Sequence, residues 1–322
     1  MRSFYISEDR YTESMHTIAE PYLNARRHDM TLRAEDGADL FVSVFDADRP
    51  VGSVTIVHGF TSCIEKFREL IWIFLQSGLS VCIYDQRGHG RSHRDVADPA
   101  LTHVERFDDY VSDLETVCEK TVAGMPAPHY LFAHSMGGAV SVLYLEKGGT
   151  LFRKAVLCSP MIAPNRSGMP LWLAECVTGL LSLAGQRRKR PFFMKPAPGP
   201  EPYSETFSNS RERFEYYQSV RDPEPLFSNN GPTCGWILES LKVTKRILRK
   251  GAPGRIAVPV KLYSAEKDFA VLIPEQKKFT DACPEAQFIS VPGAYHEIYR
   301  CRDEIVFPFW DALLDEFAPT ED

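Results

Sequence analysis

The decapeptide LFAHSMGGAV, residues 131–140, sets a serine inside a run that is otherwise apolar or small. HYLFAH (129–134) reads as a buried strand and GGAVSVLYLEK (137–147) as a helix, so Ser135 falls in the turn that joins them. A G-x-S-x-G turn of this kind holds its serine in a strained backbone conformation and lifts the hydroxyl above the sheet edge, at the N-terminus of the next helix. Small neighbours let strand and helix approach closely. Here they are Ala133, in place of the first glycine, and Gly137, with Gly138 behind it.

A serine hydroxyl is a poor nucleophile until an oriented base takes its proton. In a strand–turn–helix layout the acid and then the histidine follow the serine along the chain. Of the nine histidines, those at 16, 28, 58, 89, 93, 103, 129 and 134 precede Ser135, and His296 alone follows it, in VPGAYHEIY (291–299) just past an expected strand. The stretch KLYSAEKDFAV (261–271) ends the preceding strand and offers two acids, Glu266 and Asp268. Asp268 is favoured because it lies deeper in the post-strand loop, with Glu266 as the fallback. Its task would be to fix the imidazole tautomer and stabilise the imidazolium. A tetrahedral oxyanion needs two backbone donors. Met136, after the serine, supplies one N–H, and Phe60, in the turn VHGFTSC (57–63), supplies the other.

Outward from this turn the chain alternates strands and helices. DLFVSVFDA (39–47), VGSVTIVHG (51–59), LSVCIYDQ (79–86) and FRKAVLCSP (152–160) read as strands. EKFRELIWIFLQSG (65–78) reads as a helix closed by Gly78. VERFDDYVSDLETVCEKTV (104–122) is an amphipathic helix with Val104, Phe107, Val111, Leu114 and Val117 on one face. Strict alternation points to a parallel sheet covered on both faces. The rhythm breaks between about 163 and 254, where proline and glycine crowd RPFFMKPAPGPEPYSE (190–205), and resumes at VPVKLYSAEKD (258–268). The expected division is a core of 1–162 and 255–322 with a helical insertion at 163–254. After it come a strand at 260–264, a helix near 274–282, a strand at 287–291 and a terminal helix at 304–317.

Composition excludes several classes. The 322 residues are 44% hydrophobic and 25% charged with a formal charge of −6, so no nucleic-acid partner is indicated. The eight cysteines, no two closer than 18 residues, match neither a metal site nor a disulfide framework. YDQRGHGRS (84–92) carries G-x-G, but His93 stands where a dinucleotide loop needs its third glycine, so the stretch reads as a structural turn and no cofactor is called for. The N-terminus lacks an apolar signal segment, and 168–185 is interrupted by Glu175, so a cytoplasmic protein is expected.

VHGF, DQRGHGRS, AHSMGG and GAYHEIY, in that order, resemble the α/β-hydrolase superfamily, and most closely its monoacylglycerol lipases and bacterial lysophospholipases; GPTCGW (231–236) resembles a cap motif of that branch. The resemblance covers roughly residues 30–318. It implies a mostly parallel eight-stranded sheet flanked by helices, a helical cap, and ester hydrolysis through an acyl-enzyme. By the same resemblance Ser135, Asp268 and His296 form the triad, with Phe60 and Met136 as oxyanion donors and no metal.

Within MPLWLAECVTGLLSLAGQRRKR (169–190), Leu173, Val177, Leu180, Leu181 and Ala184 follow helical spacing, with Glu175, Thr178 and Ser182 as a polar stripe. That face is expected to meet the core or acyl chains, while the basic run at 187–190 rests on anionic head groups at the inner face of the membrane. His134, Phe192, Phe193 and Trp236, with Ile237, are candidate substrate contacts. An amidase or iminopeptidase would instead need a carboxylate cluster such as Glu201, Glu205 and Glu224, a thioesterase or acyltransferase would share the triad, and a dead scaffold would lack it.

Overall fold

A computed structural model describes residues 2–195 and 201–318. Its main sheet has eight strands: β1 (Arg27–Arg33), β2 (Asp39–Phe45), β3 (Gly52–Val57), β4 (Leu79–Tyr84), β5 (His129–His134), β6 (Lys154–Cys158), β7 (Val260–Ala265) and β8 (Ala286–Val291). They lie in the order β1-β2-β4-β3-β5-β6-β7-β8. Only β2 runs against its neighbours; every pairing from β4 to β8 is parallel. The sequence reading missed β1, whose RHDMTLR has no buried position and a single β-branched residue, Thr31. It also missed the helical turns at 8–24 and a two-residue ladder joining Leu101–Thr102 to Gly231–Pro232.

The central strands are buried on both faces, and side-chain alternation sorts them into two cores. Val54, Ile56, Val81, Ile83, Tyr130 and Phe132 pack on one side with α1 (Arg68–Gln76) and α8 (Asp303–Glu316). Val57, Cys82, Tyr84, Leu131 and Ala133 pack on the other with α2 (Phe107–Lys120), α3 (Met136–Glu146) and α7 (Ile273–Ala282). The expected face of α2 is fully buried, from Phe107 to Val117. Gly78 stops α1 as expected, with φ +76° and its N–H on the Leu75 carbonyl at 3.0 Å.

Between β6 and β7 the chain forms α4 (Leu171–Leu181), α5 (Arg211–Arg221) and α6 (Cys234–Ile247). Here α4 corrects the sequence reading. It buries Ala174 and the supposedly polar Thr178, and turns Trp172, Leu180 and the following Leu183 outward at 64%, 68% and 87% exposure. Thr178 tolerates burial because its hydroxyl donates to the Ala174 carbonyl at 2.7 Å, so no polar group is stranded. The basic run also departs from expectation. Arg187 and Arg188 both pair with Glu105, at 2.9 and 2.6 Å, and Arg190 donates to Asn230 Oδ1 at 2.7 Å. Among the described residues, no helix is long and apolar enough to cross a membrane.

Candidate active site

Open parallel sheets place their sites beyond the carboxyl ends of the strands, and four such ends meet here. Ser135 follows β5 directly, with φ +52° and ψ −118°, a backbone state that non-glycine residues rarely adopt. Thr61 (φ +53°) and Ser159 (φ +45°), just beyond β3 and β6, share that strain, which costs about 1–3 kcal/mol per residue and is held by the surroundings. Met161 N–H on the Ser135 carbonyl (2.8 Å) and Ser135 N–H on the Cys158 carbonyl (3.1 Å) clamp the turn. Glycine is obligatory behind it: a Cβ on Gly137 would sit 2.1 Å from the Val57 carbonyl oxygen, and one on Gly138 would sit 2.5 Å from Pro160 Cβ.

His296, in the loop after β8, brings Nε2 to 2.9 Å from Ser135 Oγ. Its Nδ1 lies 2.7 Å from Asp268 Oδ2, in the loop after β7. A carboxylate only accepts, so Nδ1 carries the proton and Nε2 is the acceptor facing the serine hydroxyl. Asp268 is itself fixed: its side chain is fully buried, and Oδ1 accepts the N–H groups of Ala270 (2.8 Å) and Val271 (3.2 Å). Glu266 is exposed and accepts the Gly293 N–H at 2.8 Å, bracing the other end of the histidine loop. The chemistry open to this chain of groups is proton removal from Ser135 onto a pre-oriented imidazole.

The turn after β3 abuts the serine, since a Cβ on Gly59 would lie 3.0 Å from Ser135 Cβ. The N–H groups of Phe60 and Met136 find no acceptor among the described residues. His58 fixes this turn, its Nδ1–H on the Gly59 carbonyl at 2.8 Å and its Nε2 accepting the Gln86 N–H at 2.9 Å. Burial pushes the His58 imidazole down to about 4, so it stays neutral in this role. The glycine-rich stretch at 84–92 is the structural turn expected, its Asp85 carboxylate accepting the Ile64 (2.8 Å) and Arg91 (2.9 Å) N–H groups.

The candidate substrate contacts divide. Trp236 packs its ring 4.0 Å from that of Phe60. His134 is buried against the back of the site: its Nε2–H reaches the His296 carbonyl at 3.3 Å, and its ring lies 4.9 Å from that of His296. Burial, aided by His296, holds its pKa well below the usual range. Phe192 and Phe193 pack on each other at 5.4 Å, 84% and 54% exposed, and are not brought to the triad residues. Phe207, which the sequence did not flag, sits edge-on to His296 at 5.5 Å and stacks on Phe269 at 5.0 Å. It lies in the proline- and glycine-rich insertion, where no periodicity marks a site. Of the carboxylates an amine-binding site would use, Glu201 pairs with Arg221 at 3.1 Å and Glu224 caps its own turn at the Leu226 N–H; the Glu205 side chain lies outside the described residues.

Sheet order, strained serine turn and hydroxyl–imidazole–carboxylate chain define a serine hydrolase of α/β-hydrolase fold. The chain belongs to the family described as serine aminopeptidase, S33, whose model matches residues 48–303. It is 30% identical over 285 residues to lysophospholipase L2 of Escherichia coli K12, covering 82% of this chain and 79% of that protein. Monoglyceride lipase of Mus musculus is 24% identical, with 84% of each chain covered. Among solved structures, a soluble variant of the monoglyceride lipase of Saccharomyces cerevisiae, in complex with a substrate analog, superposes with a TM-score of 0.71 at 18% identity, over 90% of this chain and 95% of that one.

Proposed function

We propose that this protein cleaves the carboxylic ester of a single-chain lipid, a lysophospholipid or a monoacylglycerol, through an acyl-enzyme on Ser135. The observation that carries the reading is the linear chain of Ser135, His296 and Asp268, with contacts of 2.9 and 2.7 Å. Ser135 Oγ attacks the ester carbonyl as its proton passes to His296 Nε2, and Asp268 stabilises the resulting imidazolium. The Phe60 and Met136 N–H groups receive the oxyanion, each worth roughly 100- to 1000-fold in rate. Collapse of the tetrahedral intermediate releases the alcohol, which takes the proton from His296. Water, deprotonated by the same imidazole, then attacks the acyl-enzyme and frees the fatty acid and Ser135.

Residues 163–254 act as a cap in this reading. Trp236 ties the cap to the oxyanion turn and Phe207 ties it to the histidine. Met169, Trp172, Leu173, Leu180 and Leu183 face outward from it. An exposed apolar patch of this kind suits peripheral contact with a lipid surface. The names of the relatives, lysophospholipase and monoglyceride lipase, support the substrate class.

The test is hydrolysis of p-nitrophenyl esters from roughly two to sixteen carbons beside a lysophospholipid and a monoacylglycerol, with fluorophosphonate labelling of parent and Ser135→Ala. Lipid turnover and labelling lost in Ser135→Ala are expected. A short-chain optimum without lipid turnover would refute the substrate class, and labelling that survives in Ser135→Ala would refute the nucleophile.

A further inference from the structure

The residue after the histidine, Glu297, is 3% exposed and takes no part in the steps above. Its two carboxylate oxygens are divided between two cations. Lys66 Nζ binds Oε1, and Arg300 Nη1 binds Oε2 at 2.6 Å. Burial alone would raise this carboxyl, but the Lys66 ammonium and the Arg300 guanidinium hold it down at about 2, so it is a buried anion at all working pH values. Each partner belongs to a different part of the molecule. Lys66 lies six residues beyond Phe60, on the segment that runs from the oxyanion turn into α1. Arg300 passes its other nitrogen, Nη2, to the carbonyl of Arg213 on α5 at 2.7 Å. Arg213 is fully buried and bound to Glu69 of α1 by two contacts of 2.9 and 3.0 Å, and to Asp303 at 2.9 Å. The Glu297 backbone is held as well, its N–H on the Phe207 carbonyl at 3.0 Å.

Three cations, Lys66, Arg213 and Arg300, thus meet three carboxylates, Glu69, Glu297 and Asp303, in the seam between core, cap and histidine loop. Buried ion pairs are poor stabilisers, because desolvation offsets their attraction, and apolar replacements of the same volume are often neutral or better. What such a cluster supplies is a single permitted geometry, since any displacement strands a buried charge. Its place here is one peptide bond from the imidazole.

We propose that Glu297 is a positioning residue: through Lys66 and Arg300 it sets the height of the His296 loop over Ser135 and couples that height to the seating of the cap. This rests on the reading of Ser135 and His296 as nucleophile and base. Misplacement of a reacting group by about 1 Å costs about 100-fold in rate, so the loss falls on the chemical step and spares ground-state binding.

The experiment compares parent, Glu297→Gln, Lys66→Met and Ser135→Ala on a water-soluble short-chain p-nitrophenyl ester, with kcat referred to the folded fraction of each preparation from its unfolding curve. For both charge variants kcat per folded molecule is expected to fall about 10- to 100-fold with KM within about twofold. Lys66→Met leaves Glu297 paired with Arg300, so it remains informative if Glu297→Gln folds poorly. A residue that only stabilised the fold would lower the melting temperature and leave kcat per folded molecule unchanged; that result, or a rise in KM at constant kcat, would overturn the proposal. Activity persisting in Ser135→Ala would remove the triad reading and this one with it. Loss there beside full kcat in both charge variants would remove this one alone.

Discussion

The indole of Trp236, on α6, lies 4.0 Å from the ring of Phe60 at an interplanar angle of 33°, so a side chain of the inserted segment packs on the residue proposed to donate its N–H to the oxyanion. Among the described residues, the rings that Phe60 meets are those of Trp236 and of His89, the latter edge-on at 6.1 Å. Trp236→Ala should therefore act twice. It opens a cavity costing about 3 kcal/mol, and it frees the oxyanion turn, lowering kcat about tenfold or more on short and long esters alike. Trp236→Phe, which keeps a ring, should retain most of the rate. Denaturant melts and kcat on the two ester lengths check both effects. A loss confined to long-chain KM would instead make Trp236 an acyl contact.

Asp268 and Glu266 stand two residues apart but meet different partners, one the imidazole and the other the Gly293 N–H. Asp268→Asn presents an amide that can hold the wrong histidine tautomer, and kcat should fall about 10⁴-fold. Glu266→Gln should change kcat by less than about threefold, since the amide oxygen can still accept the Gly293 N–H and an exposed hydrogen bond of this kind is worth only about 1 kcal/mol. Kinetics of the two variants at fixed pH decide it: comparable losses would mean that both acids share the role.

Much of the core of the site was legible in the chain because its constraints are local or ordinal. Gly137 and Gly138 announce a turn whose Cβ positions are occupied by backbone and Pro160, and a sole histidine after Ser135 leaves nothing to choose. The strand–helix alternation was legible for the same reason, as period two gives way to period 3.6. The insertion resisted. Periodicity assumes that apolar residues turn inward, whereas α4 buries Thr178 and exposes Leu180, its outer face having no layer of the described residues over it. Glu297, Lys66 and Arg213 are distant in sequence, and nothing local says that three cations and three acids will converge. Phe192 and Phe193 misled on the same assumption, since aromatic character marks a pocket only when something encloses it.

Glu146 closes α3 with 7% exposure; its Oε1 has no hydrogen-bond partner among the described residues, and Arg255 stands 3.6 Å from Oε2. Burial raises its carboxyl to about 7, against the pull of Arg255, Arg246 and Arg249. A folded-state value above the unfolded one means that the folded protein binds the proton more tightly. The associated stability is then present below about pH 4.5 and lost as pH rises through about 7. Glu146→Gln cannot ionise, so its melting temperature relative to the parent should climb between pH 5 and pH 8. The expected change is about 4 °C, or about 2 kcal/mol. Parallel melting curves across that range would show Glu146 already ionised in the fold.

Leu180 and Leu183 are 68% and 87% exposed on the outer side of the segment inserted between β6 and β7, while Arg187 and Arg188 after them are both engaged by Glu105. Contact with a lipid surface should therefore depend more on the apolar face than on the basic run. Burying one such leucine in a bilayer interface is worth about 2 kcal/mol, so Leu180→Glu with Leu183→Glu should weaken vesicle binding by tenfold or more. Turnover of a soluble ester should be untouched, because exposed substitutions cost the fold little, about 0.5 kcal/mol. Replacing the four basic residues at 187–190 with glutamine should weaken binding to anionic vesicles by a smaller factor, since Glu105 already offsets part of their charge. Sedimentation with neutral and anionic vesicles separates the two contributions. If the glutamine variant loses more than the glutamate variant, the basic run is the anchor and the apolar face only follows it.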